Sequence, residues 1–252
     1  MNRKTLFILA AVLFLGIVLS AWLVGRSLQR FKLEDRYISV KGFAEREVKA
    51  DLVIWTIKVG LGSNDLQEGS ASMESAKSKV IQFLMSNGIS RSEITEKDLT
   101  VQDRQANAYE APNANYTFRY ILRETIEVRS QKVDLVQQVS RKTGNLLNAG
   151  VVLSNEEWNG SGLKFIFTKL NQIKPEMLTE AINNAKKAAV QFTRESGTDL
   201  GALRKASQGY FSIQERDEFL SRQNEGGNAY MQGKSDLFKT VRVVISVDYM
   251  VD

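Results

Sequence analysis

The chain has 252 residues, 34 Lys+Arg against 29 Asp+Glu, and neither cysteine nor histidine. Those two absences exclude disulfides, thiolate nucleophiles, Cys/His zinc sites, serine–histidine catalysis and imidazole pH sensing. The basic excess is local. Residues 1–30 hold Arg3, Lys4, Arg26 and Arg30 and no acidic group, so Phe31–Asp252 carries 30 basic groups against 29 acidic ones, too even a balance for a nucleic-acid-binding surface.

The first predicted element is Leu6–Val24, LFILAAVLFLGIVLSAWLV, uncharged and free of proline. At ~1.5 Å per residue it matches the ~30 Å hydrocarbon core of a bilayer, which predicts a single-pass transmembrane helix. The Ser20-Ala21-Trp22-Leu23 region is a poor processing site, so an uncleaved signal anchor is favoured over a cleaved signal. A short tail with Arg3 and Lys4 favours a cytoplasmic N-terminus, against the pull of Arg26, Arg30, Lys32 and Arg36. The bulk of the chain is then expected in the periplasm, held at the inner membrane. The predicted organisation is a tip and anchor at 1–30, a connector at 31–36 and a folded domain at 37–252, with a candidate subdivision near 150–170.

Tyr37–Glu45 reads as a strand with Ile38, Val40, Gly42 and Ala44 inward; Gly42 there implies a bulge or a close backbone approach. In a second strand Val53, Trp55, Ile57, Val59 and Leu61 alternate with Ile54, Thr56, Lys58 and Gly60. Ser63–Asn87 is a helix with Asn64 or Asp65 as cap, a stripe of Met73, Ala76, Val80, Phe83 and Leu84, and a stop at Gly88. Ile94–Gln102 is a strand, 104–115 a polar loop, and Thr117–Arg129 a strand whose apolar face is interrupted by Glu124. Ser130 caps a helix with the stripe Val133, Val136, Val139, Thr143 and Leu147, ended by Gly150. Val151–Trp158 and Leu163–Thr168 read as a hairpin across Asn159-Gly160. Pro175 opens a third helix with Leu178, Ala181, Ile182, Ala185, Ala188, Ala189 and Phe192 inward. Leu203–Ile213 and Lys239–Met250 close the chain as strands, separated by a polar, Gly-rich loop. The order strand-strand-helix, repeated, predicts an α+β fold with antiparallel sheets.

The segment YISVKGFAEREVKADLVIWTIKV, with Val40, Gly42, Ala44, Ala50 and Asp51, resembles the opening of SIMPL-domain proteins. The likeness extends through Phe83-Leu84, Gly88-Ile89 and Ile94-Thr95, the helix TEAINNAKKAAVQFTRESGTDLGAL with Gly197 and Leu200-Gly201, and the strand VRVVISVDY, covering Tyr37–Asp252. The resemblance implies a bacterial envelope protein of the periplasmic immunogenic or outer-membrane antigen type. Relatives are linked to oxidative-stress tolerance, and one forms a large channel-like homo-oligomer. No catalytic residues are established for the family, so none is carried over.

Candidate sites have bland counterparts. Gly233-Lys234-Ser235 resembles the end of a phosphate-binding loop, but Asn228 stands where the motif needs glycine and a strand comes next, so a plain loop is favoured. Glu156-Glu157 and Asp217-Glu218 are carboxylate pairs, yet neighbours on a strand point to opposite faces and read as solvated charge. Tyr109, Tyr116, Phe118 and Tyr120, with Arg104, Arg119 and Arg123, offer weak base-stacking chemistry and fit core packing or a subunit contact better. The expectation is a non-enzymatic protein with no catalytic, cofactor-binding or metal-binding residues and no cofactor. It is expected to lack a nucleic-acid partner, to meet the membrane through its anchor, and to self-associate into a ring- or cage-like homo-oligomer. The alternative is a binding module for a small ligand or an envelope protein.

Overall fold

Alternating burial defines the strands. In β1 (Tyr37–Lys49) Val40, Gly42 and Ala44 are buried, and in β2 (Leu52–Ser63) so are Val53, Trp55, Ile57 and Val59, the faces the period-two pattern selects. The computed structural model describes residues 13–25, 36–106, 117–154, 162–216 and 235–252. The remaining elements are α1 (Leu66–Ser86), β3 (Ile94–Asp103), β4 (Tyr120–Ser130), α2 (Val133–Ser140), α3 (Gly144–Asn148), β5 (Leu163–Ile166), α4 (Leu170–Ser196), β6 (Leu200–Glu215) and β7 (Phe238–Val251). They form a three-stranded sheet ordered β1-β7-β6 and a four-stranded sheet ordered β3-β4-β2-β5, an α+β architecture. The chain divides into two units. One draws on Met1–Glu45, Lys174–Phe211 and Arg242–Asp252, the other on Arg46–Ile173 and Ser212–Val241.

The second unit holds the antiparallel four-stranded sheet. β2 pairs with β4 from Val53↔Ser130 to Ser63↔Tyr120, and with β5 from Leu52↔Ile166 to Trp55↔Leu163. α1 lies against β2 and β4, burying Met73, Val80 and Leu84 on Val53, Trp55, Leu122 and Ile126. Its N-terminus is capped by Asp65, whose Oδ1 accepts from the Glu68 N–H at 2.9 Å. Gly88, at φ +91°, ends it in the left-handed turn that glycine adopts without steric cost.

In the first unit β7 alternates cleanly, with Val243, Ile245, Val247 and Tyr249 buried. α4 presents a stripe of Met177, Ala181, Ala185, Ala189 and Thr193 at a spacing of four. A Cβ added to Gly42 would lie 2.6 Å from the Ala185 nitrogen and closer still to the Ala181 carbonyl oxygen. Asn184 Nδ2 donates to the Phe43 carbonyl at 3.0 Å, fixing the same approach. The bulge alternative for Gly42 gives way to helix-on-strand contact at backbone distance.

Several expectations are corrected. The Leu6–Val24 membrane anchor does not survive in the described residues. No helix among them is long and apolar enough to cross a membrane. Of the expected anchor, residues 13–24 are described as helix, and residues 6–12 lie outside the described set. The single helix expected after Ser130 is broken at residues 141–143. There the Lys142 N–H reaches back three residues to the Val139 carbonyl, and this tighter turn shifts the phase of α3 relative to α2. Leu146 is therefore buried, and Leu147 is 58 % exposed. Ser130 does not cap that helix through its first turns; its hydroxyl accepts from the Lys132 N–H and donates to Glu93. α4 starts at Leu170, before Pro175, through a tight turn in which Gln172 N–H meets the Lys169 carbonyl. Its stripe is narrower than expected, leaving Ile182 and Phe192 exposed. β5 finds its partner in β2; the expected turn at Asn159-Gly160 lies outside the described residues, and Leu153 forms an isolated bridge to Val59.

The Gly42 contact predicts a strong asymmetry between glycines. Gly42→Ala is expected to lower stability by about 3 kcal/mol or to prevent folding, because backbone faces the new methyl group. Gly144→Ala, with nothing within 4 Å of the added Cβ, is expected to be neutral or to gain up to ~1 kcal/mol. Urea denaturation midpoints of the two variants check this.

Candidate functional site

Chemistry in a chain without histidine or cysteine must come from carboxylates, lysines, serines or tyrosines. The first place to look is where such groups are buried. Glu124, Ser130, Thr193, Lys239 and Thr240 are the buried polar side chains among the described residues. Two of them, Lys239 and Glu124, anchor clusters.

Lys239 opens β7 on the same inward parity as Val241 and is 4 % exposed. A buried ammonium group needs compensation. Its Nζ donates to both carboxylate oxygens of Glu215, the last residue of β6, and lies 3.3 Å from Ser235 Oγ. Glu215 also accepts the Asp236 N–H at 2.7 Å, and Ser235 Oγ accepts the Phe165 N–H at 2.9 Å. Arg216 pairs with Asp236 at 3.3 Å and stacks over Phe238. Both flanks of residues 217–234 are therefore tied to one buried cation. A serine beside a lysine is the pairing that base-activated nucleophilic attack uses. Here the Lys239 Nζ is engaged by both carboxylate oxygens of Glu215, and the serine oxygen is occupied by a backbone donor. The arrangement is a clamp.

Glu124 sits on the core face of β4 between Leu122 and Ile126, paired across to Val59 on β2 and Leu99 on β3, and is 5 % exposed. The irregularity its presence hinted at lies in the partner strand, where β3 slips between Glu96 and Leu99. Lys77 of α1 bridges Glu74 at 2.6 Å and Glu96 at 3.3 Å. Burial pushes the Glu124 carboxyl above the usual range; the Lys77 charge opposes this, and Glu96, Glu74 and Asp98 reinforce it. Lys77 is pushed upward, chiefly by its hydrogen bond to Glu74. A raised, buried carboxyl is what a general acid needs, but the surface depressions along α1, along α4 and at residues 131–135 are not lined by Glu124. Among the described residues no set of three acidic side chains is placed to hold a metal ion.

Three other carboxylates move the opposite way, Asp103 through its hydrogen bonds from Arg119. Burial opposes ionisation of Asp51, yet the Thr168 N–H at 2.6 Å and hydroxyl at 2.7 Å outweigh it and hold the group below its usual range. Glu93 is likewise held low: burial is outweighed by the Ser130 hydroxyl, the Ser90 N–H and the Lys132 charge. Asp51 and Glu93 tie turns to strands and have the character of structural staples.

Of the residues singled out in the sequence, Tyr109, Tyr116, Glu156, Glu157, Asp217, Glu218, Gly233 and Lys234 lie outside the described set. Ser235, the end of the loop-like motif, belongs to the Lys239 clamp and not to a phosphate cradle. Phe118 packs on Gly62, and Arg119 stacks on Tyr120 while pairing with Asp103 at 2.9 Å, so the described part of the aromatic group, Phe118 and Tyr120, is a packed strand margin. A surface depression of about 580 Å³ lies along Asn183, Lys186, Lys187, Val190 and Arg194, all on α4. With walls from one helix it lacks the converging groups of a ligand pocket. The period-two alternation puts residue 239 on the inward face, while its partner Glu215 lies 24 residues away on β6.

Interleaved strands and helices of this kind define an α+β class with antiparallel sheets. The SIMPL family model, described as a protein of unknown function (DUF541), matches residues 38–249, and the chain belongs to this family. A search among curated proteins gave no match.

The buried charges generate two tests. Removing the carboxylate leaves Lys239 buried and uncompensated, so Glu215→Gln is expected to cost about 3–5 kcal/mol. Lys239→Met leaves a carboxylate that is one-third exposed and can rehydrate, and is expected to cost about 2 kcal/mol. The reverse order in chemical denaturation contradicts the clamp. For Glu124, the raised folded-state pKa means the native state binds the extra proton. Its contribution is fully present below the ordinary glutamate range and is lost as pH rises through the folded value. The stability of Glu124→Gln relative to the parent should therefore grow as pH is raised from about 4 to 7 and vanish at acid pH; a difference independent of pH contradicts it.

Proposed function

We propose that this SIMPL-family chain is a non-enzymatic protein of the bacterial envelope that works as a closed, ring- or cage-like homo-oligomer. The observation that supports this reading is β6. It is an edge strand of its sheet, and every residue from Ala202 to Tyr210 is exposed, Tyr210 by 98 %. An edge of this length carries a row of unpaired backbone donors and acceptors, a template for pairing with another chain. Leu203 and Ile213 add apolar surface along it. The absence of cysteine suits an oxidising compartment outside the cytoplasm. A part in envelope integrity or oxidative-stress tolerance fits the same reading.

The test is the native mass of the full-length chain at micromolar concentration, by size-exclusion chromatography with light scattering. The reading expects a discrete multiple of the 28.3 kDa subunit. A homogeneous monomer refutes it.

A further inference from the structure

The proposed assembly leaves open which contact starts it, and the sequence of β6 answers with its own symmetry. Natural sheets guard an exposed edge with charges, proline or a covering element. From Ala206 to Gln214 (ASQGYFSIQ) β6 has neither charge nor proline, and its far side has no strand among the described residues. The uncharged run is bounded by Lys205 at one end and Glu215 at the other. Lys205 has no ion-pair partner among the described residues, while Glu215 keeps a third of its side chain exposed beside Lys239.

Two copies of one strand that pair antiparallel about a two-fold axis perpendicular to the sheet must place one residue on the axis, because paired residues share a face and the pleat alternates. Placing Lys205 of one copy opposite Glu215 of the other puts that axis at Tyr210. The same register lays Phe211 across from Gly209, an aromatic ring over a position without a side chain, and sets Ile213 against Ser207.

Resting on the self-association reading, we infer that β6 pairs with β6 of a second copy, antiparallel and centred on Tyr210, joining two three-stranded sheets into one. The occupant of the edge is another copy of this chain, selected by the Lys205–Glu215 complement at both ends of a self-matching run. An isologous contact of this kind closes on itself, so it forms the dimer from which a second contact builds the larger ring or cage.

The chain's lack of cysteine gives a clean background for the test. Directly opposed residues in an antiparallel pair lie about 4.5–5.5 Å apart at Cα, within disulfide reach. Tyr210→Cys, at a fully exposed position that the fold does not use, is expected to convert most of the chain to a covalent dimer under mild oxidation. Gln208→Cys, which faces Ser212 and not itself, is expected to give little. A mixture of Ser207→Cys and Ile213→Cys chains is expected to cross-link unlike copies only. Native mass of the parent chain, measured alongside, separates the failures. An oligomer in which Tyr210→Cys fails to cross-link, or Gln208→Cys does so equally well, overturns this register and leaves self-association standing. A monomer overturns both.

Discussion

A helix about 10 Å across can cover roughly two strands spaced ~4.8 Å apart, and no more. That limit governs both units. In the second, α1 lies over β2 and β4, and β3 is left with Leu99 and Val101 half exposed on the face where their neighbours are fully buried. In the first, β1 and β7 bury alternate side chains while β6, the third strand, buries almost none from Ala202 onward. Strand margins that no helix covers follow from that limit, and the margin whose 206–214 run lacks charge and proline is the one available for another chain.

Close packing depends on small residues where backbone meets backbone. Gly42 lets α4 approach β1 at main-chain distance, and Ala181, Ala185 and Ala189 keep that approach open along the helix. An alanine stripe is narrow, so Ile182, Val190 and Phe192 are left outside it. Charged groups turned inward find local partners: Lys239 donates to Glu215, and Glu93 accepts from Ser130 and the Ser90 N–H. Glu124 alone among these is pushed toward its neutral form, at the margin where β3 slips in register. These clusters shape the fold; none assembles nucleophile, base and an open site.

Much of this was legible where side-chain period and backbone geometry coincide. The inward faces of β1, β2 and β7, the Asp65 cap, the Gly88 stop and the close approach at Gly42 all derive from residue type at a fixed spacing. The features that escaped depended on changes of phase or on partners far along the chain. The break at 141–143 exchanges Leu147 for Leu146, and the turn before Pro175 starts α4 early. The pairing of β5 with β2 is a long-range choice that no local pattern encodes. The apolar run Leu6–Val24 satisfied a length rule, whereas no helix among the described residues is long and apolar enough to cross a membrane. Lys239 went unnoticed because its charge argued for the surface, although its parity argued for the interior; the partner that resolves the conflict sits on the neighbouring strand.

The most direct measurement of the central claim is hydrogen exchange of the β6 amides in the unmodified chain as a function of protein concentration. Pairing between copies predicts that amides within Ala206–Gln214 are protected in concentrated solution and lose that protection on dilution, while those of β2 and β4 do not change. Exchange in β6 that is fast and identical at every concentration would contradict the account.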